Sequence, residues 1–269
     1  MTDMATARPF GGVPERAIST LRQQVRGPVL SPGEPGYEQA RRVFNGMVDR
    51  HPAVIVQPLD TPDVSAVVAL ARAEGVRVSI KGGGHSAPGH AVCDDGLMID
   101  LSRLKRIEVD PAAGLGRAAG GVTWGEFDAA TQAHGLAVTG GRVPGTGVGG
   151  LTLGSGSGWL ERKLGFTVDN LVGAEVVLAN ADVVYASATQ HEDLFWGLRG
   201  GGGNFGIVTR FDYRLHQVGP MLYAGILGFP RRDTARVMRH YRDFMESAPD
   251  DVGGGLALIT APPEPFIPE

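Results

Sequence analysis

A β-branched run, Val76-Arg77-Val78-Ser79-Ile80, breaks directly into Lys81-Gly82-Gly83-Gly84-His85-Ser86. Three consecutive glycines end any regular element, because they have no side chains to pack and a large backbone entropy to lose. A strand that ends this way presents a row of N–H groups with nothing in front of them, which suits a phosphate or a flat cofactor. His85 closes the run and sits beside whatever the loop grips. The same six residues also fit a tight turn with a solvated histidine, in a chain that holds 41 glycines. Two further blocks weigh against the plain turn. Gly140 to Trp159 alternates glycine with small or β-branched residues, and Asp193 to Val208 contains Gly200-Gly201-Gly202-Gly203.

The first of these blocks has too many glycines for a helix interior or a regular strand. Val148, Leu151, Leu153, Trp159 and Leu160 within it need burial, so an ordered binding loop is expected rather than a flexible linker. The glycines do not form a nicotinamide fingerprint, which needs Gly-x-Gly-x-x-Gly between an early strand and a helix. Gly145-Thr146-Gly147-Val148-Gly149-Gly150 has the wrong spacing, and no Walker lysine is present.

Elsewhere the pattern is that of an α+β chain. Val54-Ile55-Val56 reads as a strand, followed by Thr61 as N-cap, Pro62 at the first helical position, and one apolar face of Val64, Val67, Val68 and Ala71. Gly75 ends that helix and the 76–80 strand follows, an order that suggests a directly paired parallel unit with a right-handed crossover. Its second strand delivers the glycine loop at its carboxyl end, where α/β units bind ligands. Residues 97–99 and 107–109 read as strands. Thr123-Trp124-Gly125-Glu126 has capping-box spacing for a helix reaching His134, with Gly135 as its stop. Val172–Leu178 and Val183–Ser187 flank Asn180-Ala181-Asp182 as a hairpin, and Ile207–Leu215 is another strand. Beyond Gly219, Leu222–Phe229 reads as a strand, Asp233–Ser247 as an amphipathic helix and Gly255–Thr260 as a strand. Trp196 and Phe205 read as core anchors, and Tyr185 as structural. Three elements make only part of a domain, so the sequence reads as a fragment or early-terminated product.

A net charge of −4 over 269 residues, with no basic run, gives no nucleic-acid footprint. No apolar stretch is long enough for a membrane span, and Met1 to Gly12 reads as a disordered tail without a secretory leader. Cys93 stands alone, so disulfides and cysteine metal clusters are excluded and a cytoplasmic site is the default. Cys93 itself reads as a small buried hydrophobe.

Lys81 to Ser86, Val92-Cys93-Asp94-Asp95-Gly96-Leu97-Met98-Ile99-Asp100-Leu101-Ser102, Gly149 to Gly154, Arg162 to Leu171 and Asp193 to Val208, taken in that order, resemble the vanillyl-alcohol-oxidase-type flavoproteins. The closest likeness within them is to the berberine-bridge-enzyme-like oxidases. The resemblance covers roughly residues 35–260. It implies an α+β fold: a tail and lead-in helix over 1–35, a bipartite PCMH-type FAD-binding domain over 36–218, and part of a substrate domain over 219–269. It implies FAD bonded covalently through His85, and FAD contacts from Gly82, Gly83, Gly84, Ser86, Gly89, His90, Thr146, Gly147, Gly150, Thr152, Asn170 and Ile207. A solvated loop histidine describes His90 equally well. Many members carry a second, cysteinyl tether; the matching position is Val143, so one tether is expected.

The activity so implied is hydride transfer from a small alcohol, sugar, amine or polyketide-type substrate, with molecular oxygen as acceptor and no metal. The family's catalytic base comes from a C-terminal part that has no counterpart here, so no catalytic residue is named. A truncated chain that binds flavin without turnover is the alternative. A flavin enzyme of the UDP-N-acetylmuramate dehydrogenase type is disfavoured by His85, which that enzyme does not need.

Overall fold

The computed structural model describes residues 12–260, so the tail reading for residues 1–11 and the final segment 261–269 lie outside the described residues. Two sheets carry the fold. The smaller has the order β1-β2-β4-β3, built from Val29–Leu30 (β1), Val54–Val56 (β2), Val78–Lys81 (β3) and Leu97–Asp100 (β4). β1 runs antiparallel to β2; β2 and β3 both run parallel to β4. The expected direct pairing of β2 with β3 is therefore corrected: β4 lies between them. Every residue of β4 is buried, as suits the strand covered on both sides.

Helices α1 (Glu15–Gln24) and α3 (Thr61–Glu74) cover one face of this sheet; the five-residue α2 (Tyr37–Arg41) buries Tyr37 and Ala40 against the other. α3 begins one residue earlier than the sequence suggests. Asp60 is its N-cap, its carboxylate accepting from Asp63 N at 3.0 Å. Thr61 is thereby freed to donate its hydroxyl to Glu175 Oε1 at 2.6 Å. That bond and Ser65 Oγ to Ala181 O, 2.7 Å, tie α3 onto the second sheet.

The second sheet is antiparallel with the order β5-β6-β10-β8-β9: Ile107–Asp110 (β5), Leu115–Ala119 (β6), Leu171–Val177 (β8), Val183–Ser187 (β9) and Ile207–Arg214 (β10). β6 is invisible to pattern reading because Leu-Gly-Arg-Ala-Ala holds no β-branched residue; pairing with β10 and β5 makes it a strand. The hairpin of β8 and β9 forms as expected, with Ala181 at φ 72° in its turn. Leu136–Ala137 (β7) pairs with His216–Gln217 (β11).

Helix α4 (Trp124–Gln132) has the expected Thr123–Glu126 capping box and ends two residues before His134. Its Trp124 and Phe127 pack with Tyr213 of β10, ring centroids 5.4–6.0 Å apart. Within the first glycine block Val148–Leu153 forms a single-turn helix, α5, against expectation. Glu161–Leu164 (α6) and Glu192–Leu198 (α7) follow. The helix over Thr234–Ser247 (α8) forms, but residues 222–229 and 255–260 pair with no strand among the described residues. An apolar β pattern makes a strand only where a partner ladder receives it. Three aromatic assignments are also corrected. Trp196 is 80 % exposed and Trp159 62 %. Phe205 is 38 % exposed, its ring lying over Gly197 and Gly201. Phe195, beside Trp196, takes the core place instead.

Asp128, on α4 one turn after Trp124, is desolvated by burial, and its carboxyl is pushed up to about 6. A carboxyl raised in the folded state favours its protonated form, so folding stability is lost as pH rises from the unfolded pKa through about 6. Asp128→Asn is expected to leave stability unchanged below about pH 4 and to raise it by about 1–2 kcal/mol at pH 7, discounted for residual solvent screening. Urea denaturation at the two pH values measures this.

Candidate FAD-binding site

β3 ends in Lys81, and Lys81 does not face a ligand. Its buried ammonium donates to Ala40 O and lies 3.4 Å from Asp100 Oδ2. Asp100 also accepts from Gln57 Nε2 at 2.8 Å and from Ser102 N at 3.2 Å. The ion pair is thus fully hydrogen-bonded, the condition for a buried pair to be tolerated. It fixes the carboxyl ends of β3 and β4 together, and the glycine loop starts from this rigid base.

From there Gly84 adopts φ 72° and Gly89 φ 75°, so the segment between them turns back on itself. Gly89 N donates to Ser86 O at 3.0 Å and His90 N to Ser86 Oγ at 3.2 Å. Among the described residues the N–H groups of Gly83, Gly84, His85 and Ser86 donate to no protein acceptor. Four successive unsatisfied donors on a half-exposed loop form the kind of concavity that binds an anionic group.

A second loop meets the first. Thr146 N donates to Val143 O at 3.0 Å, closing a turn at Pro144-Gly145. The start of α4 holds that turn: Trp124 N donates to Thr146 O and Gly125 N to Pro144 O, both at 2.9 Å. Val148 N, donating to Val122 O at 2.9 Å, fixes its other end. Gly147 and Gly83 then touch backbone to backbone. A Cβ on either would fall onto the other's nitrogen. Gly82 lies against Gly120 O, where a Cβ would sit at 3.4 Å.

Most glycines of the 140–159 block serve packing. Gly140 and Gly141 make room for the Trp124 indole, Gly156 for Thr167 and Gly158 for Gly140 O. Gly150 differs: a Cβ there would meet nothing within 4 Å. Its N–H belongs to the first turn of α5, whose donors have no intrahelical partner.

The expected contact residues divide accordingly. Gly82 to Ser86, Thr146 and Gly147 belong to the two loops that meet at the Gly83–Gly147 contact, Gly89 is buried against the Val48 side chain, and Gly150, just past that contact, has open space around it. His90 is exposed. Thr152, Asn170 and Ile207 are buried in the packing behind the loops. Thr152 Oγ1 is bonded to Val148 O and Tyr213 OH, both at 2.7 Å. Burial pushes the Tyr213 phenol well above its ordinary range, so it stays protonated. Asn170 Nδ2 donates to Leu164 O and Phe166 O at 2.9 and 3.0 Å, and its Oδ1 pairs with His216 Nε2 at 2.7 Å. Burial, then Arg214, lowers the His216 pKa, so the imidazole is neutral. Those three residues brace the loops from behind, and the Asn170 backbone is itself engaged, its N donating to Thr167 O at 3.1 Å and its O accepting from Arg214 N at 2.8 Å.

Pattern reading missed two residues at the junction, Phe44 and Gly145. Phe44 stacks on the His85 ring, centroids 4.4 Å apart and planes 14° apart. A Cβ at Gly145 would stand 3.5 Å from His85 Nε2. Gly145 was visible inside its block; nothing in the sequence around Phe44 marks it. Cys93 is buried, its sulfur 3.9 Å from Leu97 O, as a small core residue. Val143 is 52 % exposed. Tyr185 is structural, donating to Asp212 Oδ2 at 3.0 Å. Trp159 is held on the surface by the Arg142 guanidinium, 4.9 Å above its ring. Among the described residues no helix is long and apolar enough to cross a membrane.

The FAD binding domain family matches residues 52–187. This span contains both loops, and the chain belongs to that family, whose PCMH-type fold the two sheets reproduce. Over 203 residues the chain is 34 % identical to (R)-6-hydroxynicotine oxidase of Paenarthrobacter nicotinovorans, covering 76 % of this chain and 44 % of that protein. The solved structure of wild-type BBE-like 1 of Physcomitrella patens superposes with a TM-score of 0.71 at 30 % identity, covering 74 % of this chain and 44 % of that one. Glucooligosaccharide oxidase of Acremonium strictum, described with a 6-S-cysteinyl, 8α-N1-histidyl FAD, superposes with a TM-score of 0.70 at 36 % identity, covering 75 % and 43 %. The chain spans less than half the length of these relatives.

The residues present fit FAD: free backbone donors on one loop, an open glycine on the other, and a histidine between them. Gly147→Ala is expected to lower the melting temperature by several degrees and to weaken FAD binding about tenfold or more, because the added methyl must push the two backbones apart. Gly150→Ala is expected to leave the melting temperature unchanged while weakening FAD binding. Thermal melts and flavin-fluorescence titration of the apoprotein read both.

Proposed function

We propose that this chain is the FAD-holding part of an oxidoreductase that oxidises a small organic substrate of the alcohol, sugar, amine or polyketide type. In this reading FAD is joined covalently through His85 and molecular oxygen accepts the electrons. When bound, FAD supplies the hydride-accepting centre and its reoxidation, chemistry that belongs to the cofactor. The chain's own part is binding and orientation. Gly83 to Ser86 offer four backbone donors to the pyrophosphate, and Lys81 with Asp100 holds the strand ends from which the loop springs. The Gly83–Gly147 contact sets the gap between the loops, and His85 stands at its mouth.

The observation that carries the reading is the His85 imidazole. It lies at the junction of the two loops, and no hydrogen bond to a protein group among the described residues occupies either nitrogen. The histidyl FAD of glucooligosaccharide oxidase supports covalent attachment at a loop of this kind. Val143, at the position the resemblance gives to a second tether, has no sulfur to offer, so one bond is proposed.

Acid precipitation of the purified chain is expected to bring flavin down with the polypeptide, and peptide mass analysis to find a single adduct containing His85. His85→Ala should still bind FAD but release all of it in acid. Quantitative release from wild type, or an adduct at Cys93, would contradict the proposal.

A further inference from the structure

Phe44 is 71 % exposed, an unusual place for a phenyl ring outside a packed core. Its position is not loose. Phe44 N donates to Gly84 O at 3.0 Å, and Asn45 Nδ2 donates to Ala87 O at 2.8 Å. Asn45 Oδ1 in turn accepts from Met47 N at 3.1 Å. Two bonds therefore clamp the 44–47 turn onto the residues either side of His85. The ring they place there stacks on the imidazole almost in parallel.

An imidazole usually has its plane set by a hydrogen bond at one nitrogen. His85 has no such bond among the described residues, and its second torsion is intrinsically soft. Stacking on Phe44 is what restricts it. Beyond the ring edge lies Gly145, which has no side chain to cover Nε2. One aromatic face thus fixes the plane while a glycine leaves the nitrogen open.

We propose that Phe44 is a positioning residue for flavin attachment: its ring holds the His85 imidazole in the plane from which a nitrogen bonds the flavin 8α carbon. This rests on the covalent reading above. Attachment replaces one imidazole N–H and one methyl C–H by a C–N bond. Two protons are released, and two electrons pass to the flavin ring, from which molecular oxygen takes them. A residue that orients the imidazole raises the rate of that step without contributing to non-covalent affinity.

The test uses the full chain, produced without flavin and mixed with FAD under air. The covalent fraction is followed in time by acid precipitation, and the dissociation constant for FAD is measured by fluorescence at early times. Phe44→Leu and Phe44→Ala are expected to slow attachment about five- to tenfold, the range of an aromatic contact, with FAD affinity changed less than about threefold. Phe44→Tyr and Phe44→Trp should restore the rate. In the apoprotein, the His85 ring-proton NMR signals should move on Phe44→Leu as the ring-current shift is lost, and stay near wild type on Phe44→Tyr. Attachment at the wild-type rate in Phe44→Leu, or affinity falling as far as the rate, overturns the proposal for Phe44 alone. Wild type that binds FAD and never attaches it overturns covalent attachment itself, and the proposal with it.

Discussion

The backbone-to-backbone contact between Gly83 and Gly147 is the constraint on which the site depends. Two loops from different parts of the fold can approach this closely only where neither carries a Cβ. Each loop is anchored independently. The buried Lys81–Asp100 pair holds the first at the carboxyl ends of the parallel strands β3 and β4, and the hydrogen bonds of Trp124, Gly125 and Val148 hold the second to the start of α4. The aromatic cluster of Trp124, Phe127 and Tyr213 carries α4 on the antiparallel sheet. The gap between the loops is therefore set by the packing of the two sheets, and the N–H donors are aimed before a ligand arrives. Such preorganisation lowers the cost of binding.

Much of this arrangement was legible in the sequence, for identifiable reasons. The break from Val76–Ile80 into three glycines located the first loop, because glycine runs at strand ends have few structural uses. The Thr123–Glu126 spacing located α4. The hairpin at Asn180 to Asp182 and the strand from Ile207 followed from alternation and turn chemistry. What escaped was tertiary. No local pattern reveals that β4 inserts between β2 and β3, or that Leu115–Ala119 becomes a strand by pairing on both sides. The glycine block misled by being dense: Gly140, Gly141, Gly156 and Gly158 answer to neighbouring side chains and backbone, not to a ligand. The ordered-motif resemblance gave Thr152, Asn170 and Ile207 the same standing as the loop glycines, whereas burial separates them.

The segment after Val218 has another character. Tyr223, Ile226, Leu227, Leu258 and Ile259 are exposed, and no residue of α8 is buried. Its polar ties to the FAD-binding part include Arg162 Nη2 to Ala248 O at 2.6 Å, Arg162 Nε near Asp250 Oδ1 at 3.6 Å and the ion pair of Lys163 with Asp251. The Lys163–Asp251 pair is exposed and contributes little to stability. The site at the loop junction owes its geometry to the two sheets, while this segment packs on the far end of the glycine block, where Gly253 lies against Trp159 O.

Hydrogen exchange with and without FAD tests the central claim most directly, since the claim is that backbone donors on two loops close on one cofactor. The account predicts that peptides covering 82–86 and 145–150 both become protected on FAD addition, by about tenfold or more, and that both lose this protection in Gly147→Ala. Protection confined to one loop, or found only elsewhere in the chain, would contradict it.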